Sequence, residues 1–227
     1  MPAPLSIIIP TLNVQADLGV CLQSLLPGLE AGLIREVIVS DGGSTDETHA
    51  IASSSGATIL ESQKGRSLQL RAGAKAARGD WLLFLHADTA LSRNWPERVS
   101  DHIADYSSMA AVFELKYRSD ARAARWLERR ALRRARWMGL PYGDQGLILS
   151  RKLYNEVGGY QDIPLMEDVK IVQAIGKSRI RILNAEARTS AAKYERDGYR
   201  RRAWHNASLL GRYLLGASPE SLAKRYS

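Results

Sequence analysis

Apolar positions along the chain follow two rhythms. Residues 5–9 form a short β-branched run ended by Pro10, which predicts a buried strand. Leu18, Cys21, Leu22 and Leu25 then recur at helical spacing, and Pro27-Gly28 is expected to close that helix. Residues 34–39 predict a second strand, followed by the turn Asp41-Gly42-Gly43-Ser44. Thr45 or Asp46 can cap a helix through Ile51. Residues 57–60 predict a third strand, 67–77 an alanine-rich helix stopped by Gly79, and 81–85 a fourth strand that ends in His86-Ala87-Asp88-Thr89. Strands alternating with helices predict an α/β fold, a mostly parallel sheet with right-handed crossovers. Ligands of such sheets bind outside the carboxyl ends of the strands. Thr11 with Asn13, Asp41 to Ser44, and His86 to Asp88 each follow a strand, so all three clusters are expected on one rim.

The second half is less regular. Asn94 and Pro96 open a helix through Ile103. Residues 109–115 predict a strand, 120–138 a helix, 145–149 a strand, 151–157 a short helix stopped by Gly158-Gly159, 179–183 a strand and 199–215 a helix closed by Gly216. With no repeat, low-complexity tract or linker, one domain over 1–227 is expected. It divides into a first half (1–90), a second half (91–190) and a helical C-terminal extension (191–227).

Composition narrows the classes. Length 227 suits one core that needs no staple. The single cysteine excludes an intrachain disulfide, and Cys21 is expected in the core. The start carries no basic stretch before its apolar run, and no apolar run is long enough to cross a membrane, so a cytoplasmic protein is expected. Lys and Arg number 32 against 24 Asp and Glu, a net charge of +8. Between Arg118 and Arg136 eight arginines face two acids, so the excess is concentrated there and points to an anionic partner.

Three clusters are candidates for chemistry. Asp41 beside two glycines could hydrogen-bond a base or ribose, or merely shape a turn. Asp88 at a strand end could ligate a hard cation through oxygen, or cap a turn. His86 could be a ligand, a phosphate donor or a packed strand-end ring. Glu167-Asp168 opens an apolar-periodic helix. Acids are favoured there by the helix dipole, and equally one of them could take a proton from an attacking hydroxyl.

Together Ser6-Ile-Ile-Ile-Pro-Thr-Leu-Asn13, Val39-Ser-Asp-Gly-Gly-Ser-Thr-Asp-Glu-Thr48, Phe84-Leu-His-Ala-Asp-Thr89 and Met166-Glu-Asp168 resemble family 2 glycosyltransferases of the GT-A fold, in their order and approximate spacing. Gly65-Arg66, Leu140-Pro-Tyr-Gly-Asp-Gln-Gly146 and Pro164-Leu-Met-Glu-Asp168 resemble a compact bacterial subgroup described as radical-SAM/selenodomain-associated. The resemblance implies an inverting transfer of a sugar from a UDP- or GDP-linked donor to an acceptor hydroxyl on a small molecule, lipid or glycan. It implies that Pro10, Thr11, Asn13, Asp41, Gly42, Arg66 and Ala87 line the nucleotide-sugar site, with Asp41 at the base. Asp88 would ligate Mn²⁺ or Mg²⁺, and Asp168 would be the catalytic base. Glu167 is expected beside the base at the acceptor, and Asp144 and Gln145 are expected to face the acceptor, the competing account being a buried Asp144 paired to a nearby arginine. Two positions depart from the family pattern: Gln15 stands where an acid is frequent, and His86 where the metal motif begins with Asp.

The basic helix 120–138, with Trp126 and Trp137, suits contact with an anionic membrane on the inner face, or else a solvated surface helix whose arginines cover apolar area. The tail, with Arg200 to Arg202 and His205, could cover the acceptor site. Rival functions are a sugar-1-phosphate nucleotidyltransferase, a non-catalytic nucleotide-sugar binder, and a basic peripheral-membrane or nucleic-acid-binding protein. The first lacks a glycine-rich loop after strand one, and no motif for a specific nucleic acid is present.

Overall fold

The computed structural model describes residues 3–226. In chain order its elements are β1 (Leu5–Thr11), α1 (Gln15–Gln23), α2 (Leu26–Glu30), β2 (Ile34–Asp41), α3 (Thr48–Ser54), β3 (Thr58–Glu61), α4 (Arg66–Ala76), β4 (Trp81–Phe84), β5 (Thr89–Leu91), α5 (Trp95–Asp105), β6 (Ala110–Tyr117) and α6 (Arg122–Arg133). A π-helical turn, Arg134–Met138, continues α6. Then follow β7 (Leu147–Ser150), α7 (Arg151–Glu156), α8 (Glu167–Ile175), β8 (Ile180–Thr189), α9 (Ala192–Asp197), α10 (Tyr199–Leu214) and α11 (Pro219–Tyr226).

One eight-stranded sheet runs β3-β2-β1-β4-β7-β6-β8-β5. The first four strands in that order are parallel, as the alternating pattern predicts. Beyond β4 the sheet is mixed: β7 is antiparallel to both neighbours, β6 and β8 are parallel, and β5 is antiparallel to β8. The central strand β1 is apolar on both faces, because helices cover both. Ile7 and Ile9 enter one core with α1 and α5, while Ile8 enters the other with α4, α7 and α8. A third, smaller core joins β6, α6 and α10 through Leu115, Leu127 and Ala203.

Local departures from the expected elements have physical causes. Pro27-Gly28 does not end a helix; it lies inside the short helix α2, with Pro27 in the first turn where its missing N–H costs nothing. Gly28 is required by packing, since a Cβ there would lie 2.3 Å from the Trp95 ring. β8 is twice the expected length because its polar residues alternate with buried Leu183, Ala185 and Ala187, the pattern of a half-covered strand. Cys21 is buried as expected.

Candidate active site

The carboxyl ends of β1 and β2 carry two loops that latch to each other. Asn13 adopts a left-handed φ of 52°, which brings its Oδ1 to accept the Thr45 N–H at 2.8 Å. Its own N–H donates to Ser44 Oγ at 2.8 Å. Gln15 joins this latch: its Oε1 accepts the Glu47 N–H at 3.0 Å, and its N–H donates to Asp46.

Asp41 is the hub. Its carboxylate accepts from the Thr11 and Ser44 hydroxyls at 2.8 and 2.6 Å, from the Gly43 and Ser44 N–H groups at 2.9 and 2.7 Å, and meets His49 Nε2 at 3.0 Å. Burial opposes ionisation, but the bonds from Ser44, His49 and Thr11 outweigh it and hold the carboxyl well below the usual range. At 1% exposure its carboxylate is already engaged, and it shapes the rim from within. Thr11 and Gly42 are likewise buried, the Gly42 N–H donating to Thr11 O at 2.9 Å. Gln69 of α4 ties both loops from below through Thr11 O and Ser40 O. Pro10 and Asn13 remain partly accessible, whereas Ala87 is buried in the core.

Beside this rim lies a cavity of about 160 Å³. Asp88 reaches it from the loop after β4, and Tyr117 and Thr189 from the ends of β6 and β8. Gly143 and Asp144 come from the turn before β7, Glu167 and Asp168 from the first turn of α8, and Arg66 from the start of α4. Asp168 is fixed at both oxygens by backbone: Oδ2 accepts the Gly143 N–H at 2.8 Å, and Oδ1 the Val169 N–H at 2.7 Å. Met166, just before α8, holds a left-handed φ of 68°, an uncommon conformation for a side chain of this size. Gly143 cannot be replaced without movement, because a Cβ would stand 2.6 Å from His86 Nε2.

Charge in the cavity is arranged in opposition. Arg66 Nη1 stands 3.7 Å from Glu167 Oε1. Burial and the Asp168 charge raise the Glu167 carboxyl, with Arg66 opposing. Burial and Arg66 lower the His86 imidazole, so its ring is neutral near pH 7. Burial pushes Asp144 up to about 6 against the Arg134 charge.

Among the expected acceptor residues, Asp144 and Glu167 line the cavity, but Gln145 does not. It is fully buried, its Nε2 donating to Phe113 O at 3.0 Å, so the expectation is corrected: Gln145 is a core residue that anchors the turn. The tail does fold over the site. Arg202, Asn206 and Leu209 of α10 line it, while His205 is exposed and outside the lining. Asn206 and Leu209, with Lys193 and Tyr194, were not named as site residues from sequence, whereas Arg202 lies in the arginine run expected to cover the site. The available signal was the spacing 202, 206, 209, one helix face on which two polar residues precede a buried leucine.

Residues 6–161 match the family model for glycosyl transferase family 2. The chain belongs to that family. Its relatives include a PGL/p-HBAD biosynthesis glycosyltransferase of Mycobacterium bovis, 41% identical over 99 residues, or 40% of this chain and 38% of the relative. A glucosyl-3-phosphoglycerate synthase of Mycobacterium tuberculosis is 32% identical over 93 residues, or 37% and 28%. These matches span less than two-fifths of the relatives' own length. A crystal structure of the latter synthase with Mn²⁺, UDP and glucosyl-3-phosphoglycerate is similar in fold. Its TM-score is 0.58 at 22% identity, over 82% of this chain and 70% of that one. Staphylococcus aureus TarS 1–349 is similar as well, with a TM-score of 0.59 at 18% identity, over 82% and 57%. The mixed, helix-flanked sheet is thus of the GT-A type.

Proposed function

We propose that this family 2 chain transfers a sugar from a nucleoside-diphosphate sugar, UDP- or GDP-linked, to an acceptor hydroxyl with inversion. The observation that carries the reading is Asp168. Its carboxylate is oriented by two backbone N–H groups and faces a cavity shared with Asp88, His86 and Arg66. The nucleotide would lie along the latched rim of residues 10–13 and 41–44, its diphosphate toward Arg66. Asp168 would accept the proton of the acceptor hydroxyl while that oxygen attacks the anomeric carbon. The bond from that carbon to the diphosphate breaks, and the electron pair leaves with the nucleotide.

Among the described residues no three His, Cys, Asp or Glu side chains gather as a metal cage. Asp88 and the neutral His86 ring nevertheless face one cavity, a donor set that suits Mn²⁺ or Mg²⁺ once diphosphate oxygens complete it. Bound there, the cation would supply positive charge beside the departing diphosphate. Solved relatives in fold hold Mn²⁺ or Mg²⁺ with UDP, which supports the reading.

The test is Asp168→Asn. Turnover should fall 10²- to 10⁴-fold, roughly the contribution of a general base, while nucleotide affinity stays within about twofold. Loss of affinity equal to the loss of turnover would reject Asp168 as base.

The membrane reading has its own support. Trp137 and Trp204 are 73% and 70% exposed, and Leu215 90%, beside the arginines of α6 and α10. Among the described residues no helix is long and apolar enough to cross a membrane, so any contact would be peripheral. The subgroup assignment rests on Gly65-Arg66 and on the motifs 84–89, 140–146 and 164–168.

A further inference from the structure

A second cavity of about 490 Å³ lies against the first, between α6, the π-helical turn and α10. Leu115, Leu127, Ala131, Met138, Leu210 and Leu214 supply apolar wall. The two cavities share Tyr117, Tyr142, Asp144, Tyr194 and Asn206, so these residues form the neck between them.

At the neck, and on Arg134 of the second cavity where it stacks on the neck's Tyr142, are buried polar atoms with no hydrogen-bond partner among the described residues. They are Arg134 Nη2, Asp144 Oδ1 and Asn206 Oδ1, one donor and two acceptors. Arg134 is locked where it stands, its Nε donating to Leu140 O at 2.7 Å and its guanidinium lying 3.4 Å from the centre of the Tyr142 ring. A buried polar atom without a partner is costly, so a ligand that supplies the partners gains from binding there. A hydroxyl both donates and accepts, which complements this set. The larger cavity beyond is apolar over most of its exposed lining, with Arg130 and Arg133 as charged residues besides Arg134, so an alkyl chain gains more from burial there than a sugar would.

Building on the transferase reading, we propose that the acceptor is an amphipathic alcohol. Its hydroxyl-bearing head is held at the neck by Arg134, Asp144 and Asn206, and its apolar tail fills the second cavity toward Trp137 and Leu214. The geometry suits transfer. Asp144 adjoins Gly143, whose N–H is bound to Asp168, so the head group sits one residue from the proposed base. Trp137 and Leu214, 73% and 44% exposed at the mouth, let a longer tail continue past the surface.

The test titrates n-alkyl β-D-glucosides of four to ten carbons, below micelle formation, into protein saturated with UDP and Mn²⁺, following tryptophan fluorescence. Affinity should rise about fourfold per methylene, the value of burying each in apolar surroundings. Gly211 of α10 lines the cavity, and a Cβ there meets nothing within 4 Å, so Gly211→Leu and Gly211→Phe project into open space. They should weaken octyl glucoside binding in graded fashion, at least tenfold for Phe, and flatten the chain-length series. The UDP-dependent rise in thermal midpoint should be unchanged in both. Affinity independent of chain length in the wild type, or a series untouched by Gly211→Phe while the UDP response persists, overturns the proposal. A wild type that responds to neither UDP nor GDP overturns the transferase reading itself, a separate failure.

Discussion

Removing the Asp41 carboxylate should unfold the rim from within. Asp41→Ala deletes five interactions at once: two hydroxyls, two backbone N–H groups and the His49 ring. The two N–H bonds to a carboxylate contribute about 1.5 kcal/mol each, while water can replace part of the hydroxyl bonds. The expected loss is therefore about 3 kcal/mol, a midpoint drop of roughly 6–12 °C for a chain of this size. Asp41→Asn can turn its amide so that oxygen faces the two N–H groups and nitrogen faces the hydroxyls, so only charge is lost, about 1 kcal/mol. Because the folded carboxyl titrates well below the unfolded one, its stabilisation is complete above the ordinary Asp pKa of about 4 and fades as pH falls below that. The gap between Asp41→Ala and wild type should close accordingly in acid. Scanning calorimetry from pH 3 to 8 measures all of this. An Ala variant within 2 °C of wild type at pH 7, or an Asn variant as damaged as Ala, would refute the role of Asp41 as hub.

Two further outcomes follow from the site and the core. Asp144, pushed up to about 6, binds its proton more tightly folded than unfolded. Its ionisation therefore opposes folding increasingly from about pH 4 to 6 and fully above that. Asp144→Asn should raise the thermal midpoint at pH 7.5 and leave it unchanged at pH 4; an offset equal at both would contradict the assignment. Gly28→Ala should cost about 2 kcal/mol by overpacking against Trp95, read from urea denaturation. A neutral result would mean that α2 shifts freely.

The first half of the fold was legible because each of its strands is short, apolar and followed directly by polar residues, as 7–9 by Thr11 and 38–39 by Asp41. Periodicity there reports burial on both faces. It failed where burial is one-sided or slight: β5 has three residues, β8 alternates, and α9 and α11 are short polar helices that bury little of their own and pack against α10. The chemistry was partly legible. Asp88, Asp144, Glu167, Asp168 and Arg66 do converge on one cavity. Asp41 and Gln145 illustrate the limit. A carboxylate or an amide in a glycine turn looks the same in sequence whether it faces a ligand or bonds to the chain itself, and its internal partners are visible only in the fold. The roof from α10 was only partly legible: its arginine run suggested that the tail covers the acceptor site, but the face that does so, 202, 206 and 209, was not picked out.

The central claim is donor binding at a cation-assisted diphosphate site beside Asp168. It is tested most directly by the thermal midpoint with UDP, GDP and other nucleoside diphosphates, with and without Mn²⁺. Ligand at about 100 times Kd should stabilise by about 2.7 kcal/mol, a rise of roughly 5–10 °C. The account predicts this rise for UDP or GDP only with Mn²⁺, and its loss in Asp88→Ala. No rise with any nucleotide in folded protein at millimolar ligand, or a rise indifferent to both Mn²⁺ and Asp88, would contradict it.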